Sequence, residues 1–310
     1  MDPRHREMRM KIRVLGVPLD LGQERRGVDM GPSAVRAAGL NAALKHLGQQ
    51  VEDCGNLHVK IAEEQPFGDR RAKYLNEIAA VSEEVAQRVA QTLDEGLFPI
   101  SLGGDHSIAI GTISGVAKHH RDREQSIGCL WIDAHADMNT PESSPSGNIH
   151  GMPFAALLGY GSDPLTKIFG YAPKLRAKDS VLIGARDLDA RERRIVKDAG
   201  IHVFTMRDID EQGMRSVVER SIELATRSTA GFAVSFDMDV VDPDEAPGVG
   251  TPVAGGITFR EAHLAMEIIA DSKQMLSLEV VEVNPILDVH NRTAALAVGL
   301  ITSALGKKIL

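Results

Sequence analysis

LWIDAHADMNTPESSPSGNIHG, residues 130–151, decides how this chain is read. It opens as a buried strand, with Cys129, Leu130, Trp131 and Ile132 in an apolar run, and then turns abruptly into ligand residues. Asp133, His135 and Asp137 occupy alternate positions, with only Ala134 and Ala136 between them. Extended backbone sends alternate side chains the same way, so this spacing aims two carboxylates and an imidazole at one point. Like charges gathered where an apolar strand ends are unfavourable unless a proton or a cation lies between them.

Two other apolar runs end in the same manner. FPISL, residues 98–102, runs into Gly103-Gly104-Asp105-His106-Ser107, and GFAVSF, residues 231–236, runs into Asp237-Met238-Asp239. Further strands are expected at 12–17, at 50–55 near an edge, at 181–184 (ending in Ala185-Arg186-Asp187-Leu188-Asp189), at 202–205 and at 275–283 (ending in Glu282-Val283-Asn284-Pro285). Helical patterns alternate with them. Pro32 and Ser33 open a helix to about Leu47, and a long amphipathic helix spans roughly 69–95. Others run to Lys118, over 152–158, on to Arg227, from the Thr258 cap to about Ala270, and over 292–305. The strands are continuous apolar runs rather than alternating patterns, as parallel strands covered on both faces should be. This is the α/β class, with about eight strands, and such units permit a closed barrel or an open doubly wound sheet. Both place function at the carboxyl ends of strands. No linker or repeat interrupts the pattern, so residues 1–310 read as one domain, with 1–10 as a frayed extension.

Charged residues make up 25% and the hydrophobic class 43%, an ordinary globular composition. A net charge of −8 argues against a nucleic-acid partner and suits a cationic small substrate. Cys54 and Cys129 lie far apart and outside any C-x-x-C, which points to a reducing cytoplasm and no thiolate metal site. The opening MDPRHREMRMK lacks an apolar signal region, and no apolar run approaches a membrane span.

Together, His106, Asp133, His135, Asp137, Asp237 and Asp239 supply four carboxylates and two imidazoles. Two divalent cations would neutralise the four negative charges. Oxygen-rich donors with some imidazole favour Mn²⁺. Two such ions could hold a bridging water and lower its pKa, which implies hydrolysis. Any single D-x-D is commonly a solvated turn; three such motifs, each ending an apolar strand, are not explained that way. The Gly103-Gly104 pair could be a phosphate loop, but no G-x-x-x-x-G-K-[ST] follows. His263, His119 and His120 read as structural or solvated, and His290 stays open.

GGDHS (103–107), DAHADMNTPESSPSGNIHG (133–151), SFDMDVVDPDEAPGVGTP (235–252) and EVNP (282–285) closely resemble the ureohydrolase family, and within it the bacterial arginases. The similarity runs from 12 to 310. It implies a three-layer α/β/α fold around an eight-stranded, mostly parallel sheet, which excludes the barrel. It implies two Mn²⁺ per subunit and hydrolysis of L-arginine to L-ornithine and urea, by a metal-bridging hydroxide attacking the guanidinium carbon. One ion would take His106, Asp133, Asp137 and Asp237, and the other Asp133, His135, Asp237 and Asp239. Asn139 and Ser146 match positions that hold the substrate α-carboxylate, Asp189 one near the α-amino group, and Thr251 a threonine near the site. His150 matches the proton-shuttle histidine and Glu282 the carboxylate that orients the guanidinium. With Asp137, these two are the expected catalytic groups. The resemblance also implies a homo-oligomer, trimeric or hexameric.

The nearest alternative is agmatinase, acting on decarboxylated arginine, but such a substrate would leave the groups of the N-T-P…S-G-N-I-H-G loop unsatisfied. A formimino-substrate hydrolase is a more distant alternative. A non-catalytic metal-stabilised binding protein would keep the six ligands and could lose His150 or Glu282, yet both are present.

Overall fold

A computed structural model describes residues 10–308 of the chain. Eight strands form one sheet: β1 (Lys11–Val17), β2 (Gln50–Asn56), β3 (Phe98–Gly103), β4 (Gly128–Ile132), β5 (Ser180–Ala185), β6 (His202–Thr205), β7 (Phe232–Asp237) and β8 (Met275–Val281). Their order is β2-β1-β3-β8-β7-β4-β5-β6, and every pairing between them is parallel. The sheet is open, with β2 and β6 at its edges.

Every residue of β3, β4, β5 and β7 is buried, as their unbroken apolar runs require. Successive side chains go to opposite faces: Leu130 and Ile132 of β4 join one apolar cluster, Cys129 and Trp131 the other. The first cluster is closed by α1 (Gly31–Ala37), α2 (Leu40–His46), α9 (Met214–Thr226), α10 (Phe259–Ser272) and α11 (Arg292–Ala304). The second is closed mainly by α3 (Leu75–Asp94), α4 (Ala109–Arg121), α5 (Pro153–Leu157) and α6 (Asp163–Thr166). Burying a side chain such as Leu130 or Ile132 stabilises the fold by about 1.5–3 kcal/mol each. The three layers and the parallel sheet agree with expectation.

Several boundaries differ for local reasons. The helix expected over 69–95 begins at Leu75. Before it, Lys73 N–H donates to the Gly147 carbonyl (3.0 Å), Tyr74 N–H to that of Phe67 (2.8 Å), and Tyr74 has φ +56°, so this backbone is committed elsewhere. The helix expected from Pro32 to Leu47 is two helices, broken where Gly39 takes φ +97°. The helix expected to reach Arg227 is likewise divided, at Gly213 (φ +80°), into α8 (Met206–Gln212) and α9. Thr258 does cap α10, in a reciprocal capping box with Glu261. The frayed extension expected over 1–10 lies outside the described residues except for Met10, whose N–H donates to Gln49 Oε1 (2.8 Å) and whose carbonyl accepts from Gln50 (3.0 Å).

The strand order positions the site. Having placed β1, β2 and β3, the chain skips two places to lay down β4, and the last two strands fill the gap. The four central strands β3, β8, β7 and β4 therefore bring adjacent carboxyl ends together, and ligands of open α/β sheets bind in such a crevice.

Candidate metal centre and active site

After β3, the Gly-Gly pair serves packing. A Cβ on Gly104 would lie 1.8 Å from the Leu19 carbonyl oxygen, so only glycine lets the two loops touch. Asp105 caps the short turn that follows, accepting from Ser107 N–H (3.0 Å), and its other oxygen accepts from Gly22 N–H (2.8 Å). This sets His106 at the centre of the crevice. Its Nδ1 lies 3.2 Å from Asp133 Oδ2, 3.0 Å from Asp137 Oδ2 and 3.0 Å from Asp237 Oδ2, but makes no aligned hydrogen bond with any of them. Its Nε2 faces Ser235 Oγ at 2.7 Å. The ring stacks on Trp131, which stacks on Phe154, at centroid distances of 4.2 and 4.7 Å.

His135 Nδ1 lies 3.0 Å from Asp239 Oδ2 and 3.5 Å from Asp133 Oδ1. Two sets of donors thus converge, His106/Asp133/Asp137 and Asp133/His135/Asp239, sharing Asp133. Trp131 Nε1–H donates to Asp133 Oδ2 (2.9 Å), His135 N–H to Asp133 Oδ1 (2.6 Å), and Thr251 Oγ–H to Asp239 Oδ2 (3.0 Å). The reason for convergence is not simply the alternation of a strand. Strand β4 ends at Ile132, and Asp137 has φ +51°, a left-handed turn that swings its carboxylate back toward His106.

The electrostatics are those of a cation site. Burial and the Asp133 charge push Asp137 up to about 6, and burial with Asp239 and Asp133 pushes Asp237 well above the usual carboxylate range. Burial opposes charging of His106, yet Asp133, Asp137 and Asp237 raise its pKa well above the ordinary histidine value. A buried imidazole nitrogen facing three carboxylate oxygens without a hydrogen bond is what a shared cation satisfies, and the O/N donor chemistry fits Mn²⁺. The residues present therefore fit a two-ion centre.

Above these groups opens a cavity of about 250 Å³, its lining including His135, Asp137, Asn139, His150, Asp189 and Thr251. A larger cavity of about 440 Å³ lies between β2 and α3, but no metal-binding set occurs there among the described residues. Asn139 Nδ2 donates to Asp189 Oδ2 (2.9 Å), and Asp189 Oδ1 caps α7 (Ala190–Ala199) by accepting from Arg191 N–H (2.8 Å). Ser146 lies apart from this group: it is exposed, does not line the cavity, and accepts from Asn148 N–H (3.2 Å). Glu282 is buried, at φ +65° just beyond β8, and is not a surface carboxylate. Its Oε1 accepts from His106 N–H (2.9 Å) and pairs with His150 Nδ1 (3.2 Å), and its Oε2 accepts from Gln23 Nε2 (3.0 Å). Burial disfavours the His150 cation, but Glu282 outweighs it and takes the imidazole up to about 9.

Sequence comparison matches residues 10–306 to the arginase family. The chain belongs to the arginase family. It is 50% identical to the arginase of Bacillus caldovelox over 96% of this chain and 99% of that one, and 50% identical to the arginase of Brevibacillus brevis over 98% and 100%. The native crystal structure of the B. caldovelox arginase superposes with a TM-score of 0.93, at 50% identity, covering 97% of this chain and 100% of that one. Membership makes the chain a hydrolase, so a purely structural metal-binding role falls away.

Some residues at the site were not singled out from sequence. Glu192 lines the cavity and accepts from Met138 N–H (3.0 Å); burial pushes it up to about 8. Asp187 also lines it. An acidic residue in a first helical turn carries no signal that separates it from ordinary capping. Gln23 gave none either, since its partner Glu282 is at the far end of the chain. Trp131 did carry one: it stands two residues before Asp133, on the same face. The other histidines fall as expected: His263 Nδ1 meets Ser303 Oγ (2.9 Å), and His119 Nδ1 meets Asp94 Oδ1 (2.7 Å). His290 is exposed.

Proposed function

We propose that the protein hydrolyses L-arginine to L-ornithine and urea with two Mn²⁺ ions. The single observation that supports this most is the junction of two donor sets at Asp133, beneath a cavity walled by carboxylates and Asn139. His106, Asp133, Asp137 and Asp237 would hold one ion, and Asp133, His135, Asp237 and Asp239 the other. A bound pair of Mn²⁺ ions supplies a water molecule acidic enough to ionise near neutral pH. In the cavity wall, Asp187 and Asp189 suit a cationic substrate. Glu282 would orient the guanidinium, its own carboxylate held by Gln23 Nε2 and His106 N–H beside His150. His150, paired with Glu282 through Nδ1, would pass a proton to the departing amine. Asn139, together with Ser146, would hold the α-carboxylate, and Asp189 beside Asn139 the α-amino group.

Urea release from L-arginine is expected to exceed that from agmatine by at least about 100-fold in kcat/KM, because burying polar groups without their partner costs on the order of 1–3 kcal/mol each. Equal rates on both substrates in the presence of Mn²⁺ would sink the assignment. Replacing Glu282 with glutamine should lower kcat/KM by about 100-fold, the loss of about one charge-assisted contact network, while metal content stays unchanged. Retained activity, or loss of metal, would show that Glu282 acts otherwise.

The same proposal includes a single domain, a cytoplasmic location and a trimer or hexamer, the last checked by light scattering on the purified chain. No helix among the described residues is long and apolar enough to cross a membrane.

A further inference from the structure

Glu279 is buried at the middle of β8 and takes no part in the chemistry above. Burying a carboxylate is costly, and it calls for a compensating role. Glu279 sits in register with Ser235 of β7, its neighbour across the sheet. From the other side Thr112 of α4 donates its hydroxyl to Glu279 Oε2, while Oε1 has no fully formed hydrogen bond. The unpartnered Oε1 is the acceptor left for the neighbouring Ser235 hydroxyl, with which it makes no formed hydrogen bond here. The Ser235 oxygen is also 2.7 Å from His106 Nε2.

The direction of this chain of contacts is set by His106. Its Nδ1 faces three carboxylate oxygens and must present a lone pair to a shared cation. The ring proton is then on Nε2 and is donated to Ser235 Oγ. The Ser235 hydroxyl proton is left to point onward, and the buried carboxyl in register beside it is Glu279. We propose that Glu279 is a positioning residue for the metal centre: acting through Ser235, it fixes the Nε2–H tautomer and the ring orientation of His106. A carboxylate at the end of such a relay makes the imidazole a better donor to a cation, and removing partners of this kind weakens metal affinity by about 10–100-fold.

The inference rests on the two-ion proposal, and its test separates the two. Mn²⁺ affinity is measured by chelator competition on the full-length wild type, Glu279→Leu, Ser235→Ala and the double variant, with melting temperatures of the metal-free forms alongside. Leucine removes the charge at similar volume, and Thr112 retains the Ala109 carbonyl (3.3 Å) as an alternative acceptor. Each single variant is expected to bind Mn²⁺ about tenfold more weakly. The double variant should be no weaker than the weaker single, because both break one relay. The metal-free Glu279→Leu protein should melt no lower than the metal-free wild type. Undiminished affinity in Glu279→Leu, or additive losses in the double variant, overturns the proposal. Should Glu279→Leu fail to fold, unchanged affinity in Ser235→Ala overturns it equally. A wild type that takes up no Mn²⁺ would overturn the two-ion proposal instead.

Discussion

Replacing Asp133 with asparagine should reduce urea release from L-arginine by more than about 1000-fold, about 4 kcal/mol of barrier, and should remove both Mn²⁺ ions. Asp133 is shared by the clusters His106/Asp133/Asp137 and Asp133/His135/Asp239, and with Asp237 it would bridge the two ions. Its Oδ2 faces His106 Nδ1 at 3.2 Å and its Oδ1 faces His135 Nδ1 at 3.5 Å, so each oxygen addresses a different half of the centre. An amide keeps the volume but loses the charge and one of the two donor oxygens. Asp137→Asn makes the contrast, since Asp137 belongs only to the set built on His106. That variant should keep one ion. Metal analysis of the two purified proteins checks this: an Asp133→Asn protein with both ions and near-normal turnover would mean that the carboxylate does not bridge.

Stripping the metal should lower the melting temperature by about 10 °C at neutral pH. A ligand present at about 1000 times its Kd stabilises the folded state by about 4 kcal/mol, and a chain of this size shifts by roughly 2–4 °C per kcal/mol. The effect has a definite pH dependence. In the metal-free protein the pKa of Asp137 is raised to about 6, and those of Asp237, His106 and His135 are raised as well. Groups whose folded-state pKa is raised bind more protons folded than unfolded. Their contribution is complete below the unfolded value, near 4 for Asp137, and is lost as pH rises through the folded value. The metal-free form should therefore lose stability from about pH 4 upward. Mn²⁺ binding instead strengthens as its ligands deprotonate. The difference in melting temperature between loaded and chelated protein should widen from pH 5 to pH 7. A constant or shrinking difference, with metal loss confirmed, would contradict this.

Much of the scaffold was legible because the central strands are mostly apolar, as burial on both faces requires. FPISL, LWI and GFAVSF each stand out for that reason, and each ends in ligands. The edge strands β2 and β6 are more exposed and correspondingly fainter in sequence. The strand order is not written locally. That β8 and β7 fill the gap between β3 and β4 depends on which faces pack, and no window of sequence contains that choice. Helix breaks at Gly39 and Gly213 were passed over because one glycine in a helical pattern is often tolerated. The start of α3 was misplaced because Lys73 and Tyr74 are held by Gly147 and Phe67, contacts invisible in a periodicity.

At the site, the six residues proposed to hold metal stand out by spacing alone, and the structure brings them together, though not all by strand alternation. Asp137 reaches His106 by a left-handed turn and not by strand alternation. Ser146 rests on the resemblance; it is exposed, is not part of the cavity lining, and accepts a local hydrogen bond from Asn148 N–H. Gln23, Asp187 and Glu192 are polar residues whose neighbours come from distant segments, so nothing in their own surroundings marks them.

The most direct measurement is a titration of Mn²⁺ into the metal-free full-length protein, following urea release from L-arginine and bound metal together. Activity should rise to a plateau at two Mn²⁺ per chain. A plateau at one ion per chain, or urea release from protein shown to hold no metal, would contradict a centre in which paired cations hold these four carboxylates together.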